Sequence, residues 1–215
     1  MSKKIYLFST TPYPDTIHIN SLDTKYFTPK IDFSKYDYLI ITSKQVSKAL
    51  EQYDKKVYID KPALCVSKHT AKSFEALGGK ILEIGEGYGD TLLKAIRKYP
   101  KEVKWLYLRA KEIASDFVDK TLELGHFIDE AIIYETSCSQ EILDVQIEDG
   151  AVLIFTSPSS VKCFLQTHQL NKQNSIVVIG KTTAKALPNG IKYEITPLQS
   201  IESCVELARK LADLK

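Results

Sequence analysis

Four stretches of this sequence gather hydroxyl groups where an apolar run gives way to a helical rhythm. Two are plain. Ile41-Thr-Ser-Lys-Gln-Val46 carries Thr42, Ser43 and Lys44, and Phe155-Thr-Ser-Pro-Ser-Ser-Val161 carries Ser157, Ser159 and Ser160. Two are fainter. Ser67 and Thr70 lie in Ala63-Leu-Cys-Val-Ser-Lys-His-Thr-Ala-Lys-Ser-Phe74, and Lys181, Thr182 and Thr183 in Val177-Val-Ile-Gly-Lys-Thr-Thr-Ala-Lys-Ala-Leu187. Hydroxyls beside the free backbone N–H groups of a helix start can cradle a carboxylate or phosphate, and the helix dipole favours the negative charge. Taken singly, each turn reads as ordinary N-capping, which Ser and Thr do everywhere. Four at matching positions admit a shared anion-binding cleft as readily.

Two further side chains could do chemistry. Arg109 follows Trp105-Leu-Tyr-Leu108 at the carboxyl end of a predicted strand, where it can clamp a carboxylate or make a surface ion pair. Tyr134, in Ile132-Ile-Tyr-Glu-Thr136, can pack half-buried or face a cleft and donate a proton. Other motifs exclude themselves. Gly180-Lys-Thr182 resembles the tail of a phosphate loop, but Ser175 stands where that loop needs glycine, so nucleotide binding is rejected there. Gly85-Glu-Gly-Tyr-Gly89 lacks the third glycine of a dinucleotide loop, having Asp90 at that position, and reads as a turn. His18, His69, His126 and His168 show no metal-ligand spacing, and no Ser-His-Asp or Cys-His system stands out.

The elements that must position these groups alternate. Strands are predicted over 5–8, 26–28, 38–42, 63–66, 80–84, 103–108, 127–134, 151–155, 175–179 and 191–195. Helices are predicted over 43–50, 70–77, 91–98, 113–124, 159–167, 182–187 and 200–214, with Gly78-Gly79 and Gly125 as stops. Between residues 9 and 31, Pro12, Pro14, Asp15, Asn20, Asp23 and Pro29 leave no helical period. Such alternation predicts an α/β fold with parallel sheets.

The series then repeats. Ile41-Thr42-Ser43 with Val46 and Leu50 matches Phe155-Thr156-Ser157 with Val161 and Leu165, and Thr70 follows Thr42 at nearly the interval by which Thr183 follows Thr156. The second series runs out of strands before the chain ends, so the N-terminal strands must complete it. Two similar domains are therefore expected, each a parallel sheet flanked by helices (flavodoxin- or Rossmann-like). Residues 1–30 plus 138–215 would form a discontinuous first domain and 36–132 an inserted second one, with 31–35 and 133–137 as hinge segments. A cleft between them would collect the hydroxyl-bearing turns, because ligands of open α/β sheets bind beyond the carboxyl ends of the strands.

Composition limits the partners. The 215 residues carry a net charge of only +2, which permits an acidic small molecule but falls short of a nucleic-acid footprint. No apolar run is long enough to span a membrane, and the short apolar run after Lys4 reads as a first strand and not as a signal peptide. Cys65, Cys138, Cys163 and Cys204 are scattered without Cys-x-x-Cys and are expected as free thiols of a reducing compartment, the cytoplasm.

Phe155-Thr-Ser-Pro-Ser-Ser-Val161, Ile179-Gly-Lys-Thr-Thr-Ala184 and Ile133-Tyr-Glu-Thr136, together with the split two-domain layout, resemble the uroporphyrinogen-III synthase family over essentially the whole chain. The resemblance implies a monomeric lyase that uses no cofactor. It would close hydroxymethylbilane, a linear tetrapyrrole with eight carboxylates, into uroporphyrinogen III with inversion of the last ring and loss of water. It also implies an azafulvene, a spiro-pyrrolenine intermediate, and a role for Tyr134 in departure of the hydroxyl. Thr182 and Thr183 match the family's cleft threonines, Ser157 and Ser159 its serines of the third turn, and Thr70 the threonine of the other domain. Lys181 and Lys44 stand where the family usually has proline, Ser67 where it usually has glycine, and the helix expected after the first strand is missing. The alternative from another class is a non-catalytic two-domain protein that closes on a small polyanion.

Overall fold

The computed structural model describes residues 3–87, 89–113 and 115–213, so Tyr88 of the glycine-rich turn, Ala114 of the helix expected at 113–124 and Leu214 at the expected end of the last helix lie outside it. The chain forms two compact units: residues up to Asp23 with those from Ser137 onward, and Thr24–Thr136. Strands β1 (Ile5–Ser9) and β2 (Ile17–Asn20) open the first unit. The second unit holds β3 (Leu22–Tyr26), which begins just before the passage, then β4 (Tyr38–Ile41), α1 (Lys44–Leu50), β5 (Ala63–Cys65) and α2 (Lys68–Glu75). It continues with β6 (Ile81–Ile84), α3 (Gly89–Ile96), β7 (Lys104–Ala110), α4 (Phe117–Glu123) and the long β8 (Phe127–Cys138). The first unit is then completed by α5 (Gln140–Asp144), β9 (Val152–Phe155), α6 (Pro158–Thr167), β10 (Ser175–Val178), α7 (Lys181–Ala184), β11 (Glu194–Ile195) and α8 (Ile201–Asp213).

The fold is α/β. Unit one has the sheet order β11-β10-β9-β1-β2, and unit two β3-β8-β7-β4-β5-β6. The pairs β1/β2, β1/β9, β9/β10 and β10/β11 run parallel, as do β4/β5, β4/β7, β5/β6 and β7/β8. The central strands read as unbroken apolar runs because helices cover both faces. Alternate residues serve opposite cores. Phe8, Leu153, Phe155 and Val178 pack with Val161 and Phe164 of α6, whereas Leu7, Ile154 and Val177 pack with Cys204, Val205 and Ala208 of α8. In unit two, Leu39, Ile41 and Leu108 face Val46 and Phe74, whereas Ile40, Trp105 and Tyr107 face Leu92, Ile96 and Phe117. Gly78 and Gly125 close α2 and α4 with φ of 91° and 79°, a conformation in which a side chain would be strained.

Several expectations change. Residues 17–20 pair as β2 in parallel register with β1, although only Ile17 and Ile19 alternate there, too few to stand out from the turn signals around them. The strand expected at 26–28 forms earlier, as β3. It serves the six-stranded sheet and not the first unit, and the Phe27 N–H donates to Ile133 O at 2.9 Å. Residues 31–35 lie within unit two, where Phe33 sits in the core at 2% exposure. The strand expected at 191–195 shrinks to the two residues of β11, and α5 is additional.

Cys138 and Cys163, expected as thiols, are bonded to each other. Strand β8 and α6 bring their Cα atoms to 5.4 Å, within disulfide reach, which no sequence spacing announces. Cys65 and Cys204 are free and buried. Burial pushes the Cys65 thiol from its ordinary 9.0 up to about 12, with Glu75 adding to the rise, and the Cys204 thiol up to about 11. A raised thiol stays protonated in the folded chain after the unfolded chain has begun to ionise. Stability from this source is complete below pH 9 and is lost at about 1.4 kcal/mol per pH unit for each thiol as pH climbs towards 11 for Cys204 and 12 for Cys65. Urea midpoints should fall steadily above pH 9, and a flat profile up to pH 11 would contradict the assignment. Among the described residues no helix is long and apolar enough to cross a membrane.

Candidate active site

The carboxyl ends of β4, β7 and β8 meet around a cavity of ≈ 360 Å³ in unit two. Thr42, Ser43, Tyr107, Ser115 and Tyr134 bring hydroxyls to it, Glu112 a carboxylate, and Val66, Leu92 and Phe117 are among its apolar walls. Tyr134 enters through an irregularity of the sheet. Arg109 faces Ile132, but the next residue, Ala110, faces Tyr134, so β8 carries an extra residue at Ile133. Such a bulge bends a strand and re-aims its side chains. Ile133 and Tyr134 consequently both pack into the core cluster of Leu39 and Leu108 on one face, which simple alternation would forbid.

Tyr134 is 6% exposed. Burial raises its phenol above the ordinary 10, and a hydrogen bond with the Ser43 hydroxyl partly opposes that rise. Ser43 Oγ in turn accepts from Gln45 N–H at 3.2 Å as the cap of α1. Ser43 Oγ keeps a second lone pair and its own proton, so it can accept from the phenol or donate to it. The raised phenol is neutral at physiological pH and carries a proton to donate. Beside it, Thr42 Oγ1 lies 3.1 Å from the Tyr107 hydroxyl. Burial raises the Tyr107 phenol too, Thr42 opposes the rise, and the nearby Tyr134 adds to it.

The other sequence-derived residues fall at comparable turns. Ser67 caps α2 by accepting from Thr70 N–H at 3.3 Å, and the two hydroxyls are 3.2 Å apart, with Thr70 buried. Lys44 is exposed at the start of α1. In unit one, Ser157 and Ser160 form a reciprocal capping box at the start of α6, Ser160 is fully buried, and Ser159 points to solvent. Lys181 and Thr182 are exposed on α7, whereas Thr183 is buried. Capping therefore occupies Ser43, Ser67, Ser157 and Ser160, and leaves Lys44, Ser159, Lys181 and Thr182 open to solvent. Arg109 Nε lies 2.5 Å from a Glu130 oxygen, and its guanidinium donates to Ala110 O and Lys111 O, so it braces the strand crest.

Tyr107 is absent from the residues singled out by sequence. Its signal was a hydroxyl-bearing ring in an otherwise apolar strand, two residues before Arg109, close to the carboxyl end where sites form. Among the described residues, no three His, Cys, Asp or Glu side chains gather as metal ligands do.

A family model described as "Uroporphyrinogen-III synthase HemD" matches residues 16–206. The structure is similar to that of uroporphyrinogen-III synthetase from Helicobacter pylori, with a TM-score of 0.79, 27% identity, and 97% of this chain and 99% of that one covered. It shares its fold with a mutant uroporphyrinogen III synthase from Thermus thermophilus, with a TM-score of 0.61, 12% identity and 100% of both chains covered. No curated protein sequence matches. The family model spans most of the chain, and the chain belongs to the uroporphyrinogen-III synthase family.

Proposed function

We propose that this chain closes hydroxymethylbilane to uroporphyrinogen III, inverting ring D and expelling water without a cofactor, and that Tyr134 is its general acid. The observation that carries the assignment of the acid is the buried, neutral Tyr134 phenol, aimed by the β8 bulge into a hydroxyl-lined cavity. The phenol gives its proton to the substrate's hydroxymethyl oxygen as the C–O bond breaks, and the pyrrole nitrogen's electrons complete the azafulvene. Ring D attacks through its substituted position to give the spiro-pyrrolenine, which opens and recloses through the free position. The proton lost in that last step returns to the tyrosine oxygen. One water leaves and the enzyme ends as it began.

The hydroxyl and lysine turns hold carboxylates. The groups those turns leave open to solvent do this, Lys44 in unit two and Ser159, Lys181 and Thr182 in unit one. Binding through many weak charge-assisted contacts leaves the pyrroles free to rearrange while their ends stay close. Arg109 supports the crest of β7 in this reading. The protein works as a monomer in the cytoplasm, with no nucleic-acid partner.

The test is direct. Purified protein mixed with freshly made hydroxymethylbilane should yield mainly the type III isomer. Recovery of only the spontaneous type I isomer would overturn the proposal.

A further inference from the structure

The mechanism above uses one phenol, yet the cavity holds two. Tyr107 is 3% exposed in β7, between Leu106 and Leu108, and its ring packs edge-on against Phe117 with centroids 5.0 Å apart. That packing would be served equally by phenylalanine. The hydroxyl instead lies 3.1 Å from Thr42 Oγ1, at a cavity whose walls include Val66, Leu92 and Phe117 together with Ser115 and the Glu112 carboxylate. Two consecutive residues of one turn, Thr42 and Ser43, thus serve two tyrosines from neighbouring strands. One pair, Ser43 with Tyr134, is the acid. The other has no part in the chemistry described so far.

The size of the cavity narrows what the second pair can meet. At ≈ 360 Å³ it is far too small for a tetrapyrrole, but it has room for the reacting end of one and for a water, whose share of liquid volume is about 30 Å³. An ordered water asks for two to four polar partners. Here the hydroxyls of Thr42, Ser43, Tyr107 and Tyr134 line one space, and the reaction releases one water beside Tyr134.

We propose that Tyr107, held by Thr42, is a second catalytic phenol, which hydrogen-bonds the substrate oxygen that Tyr134 protonates and retains it as the departing water. The inference rests on the synthase reading given above. In the step, the C–O bond of the hydroxymethyl group breaks, the Tyr134 proton goes to that oxygen, and the pyrrole nitrogen supplies the electron pair of the azafulvene. Tyr107 keeps its proton and donates only a hydrogen bond, so nothing further is oxidised, reduced or consumed. Donors aimed at an oxygen whose charge grows as its bond breaks are worth more in the transition state than in the ground state. Losing one should therefore lower kcat and leave KM nearly alone.

Tyr107→Phe keeps the ring and its contact with Phe117, and is expected to fold with an unchanged Tm. Its kcat should drop about tenfold to a hundredfold, with KM within about twofold of the parent. Thr42→Val should lose rate in the same way, and Thr42→Ser should recover most of it. The Tyr107→Phe/Thr42→Val double variant should be little worse than either single one, as expected of two groups acting as a unit. If kcat of Tyr107→Phe stays within twofold of the parent, or if only KM rises, the proposal is overturned. Should Tyr107→Phe fold poorly, Thr42→Val at the partly exposed turn decides by the same criteria. Parent protein that makes type III isomer while these variants are unimpaired removes the role of Tyr107 alone. Parent protein that leaves only type I removes the synthase reading itself.

Discussion

Tyr134→Phe is expected to cut kcat by about a hundredfold or more while the protein stays folded. General acids of this kind contribute roughly 10²- to 10⁴-fold, and phenylalanine removes only the hydroxyl that carries the working proton. The ring itself belongs to the core beside Leu108 and Ile133, and that packing survives the change. Ser43 keeps the Gln45 N–H that it caps, so the lost hydrogen bond costs about 1 kcal/mol of stability. Because the bilane closes spontaneously to the type I isomer, the variant should also leak that isomer as its own turnover slows. Single-turnover rates, the ratio of type III to type I product and the melting temperature check the three parts. For the parent, the raised phenol keeps the acid protonated through neutrality, and loss of rate from its ionisation should begin only above the ordinary tyrosine value of 10. A Tyr134→Phe variant that turns over at the parental rate would strip the residue of its role.

Breaking the Cys138–Cys163 bond should produce the largest change in stability. The bridge joins residues 25 apart and ties the end of β8 to α6. Loop-closure entropy assigns about 3 kcal/mol to a ring of this size. In a chain of this length that amounts to a fall in Tm of about 6 to 12 °C. Protein purified under oxidising conditions should therefore melt lower in reductant, and Cys138→Ala with Cys163→Ala should match the reduced parent. Unfolded without reductant, the chain should titrate two thiols, Cys65 and Cys204, and four once reduced. Identical melts in both conditions would refute the expected stabilisation. In a reducing compartment the pair exists as thiols, and the lower stability is the relevant one. The bridge also steadies the helix whose first turn presents Ser157, Ser159 and Ser160.

How much of this could be read from residues alone differs from element to element. The runs Tyr38–Ile41 and Val152–Phe155 announce themselves as strands because both their faces are buried, so every position is apolar. The hydroxyls after them announce helix starts, since capping depends on residues three apart. Strand β2 stays hidden. Its pairing with β1 is made by backbone groups, and His18 and Asn20 break the apolar pattern. Arg109 reads as either clamp or ion pair until Glu130, from the neighbouring strand, is seen 2.5 Å away.

The alternation of strands and helices, the internal repeat, the division of the chain between two mainly parallel sheets and the four hydroxyl-bearing turns are legible in the residues alone. All of these follow from apolar spacing and capping chemistry within a few residues, and the repeat compares such local patterns with one another. Tertiary structure alone decided that Tyr107 and Tyr134 share one cavity with Thr42 and Ser43, and that Cys138 meets Cys163. Those meetings depend on strand order, on register and on one extra residue in β8. A shift of one residue in register turns a side chain to the opposite face of a sheet, and no local pattern records which strand will lie alongside.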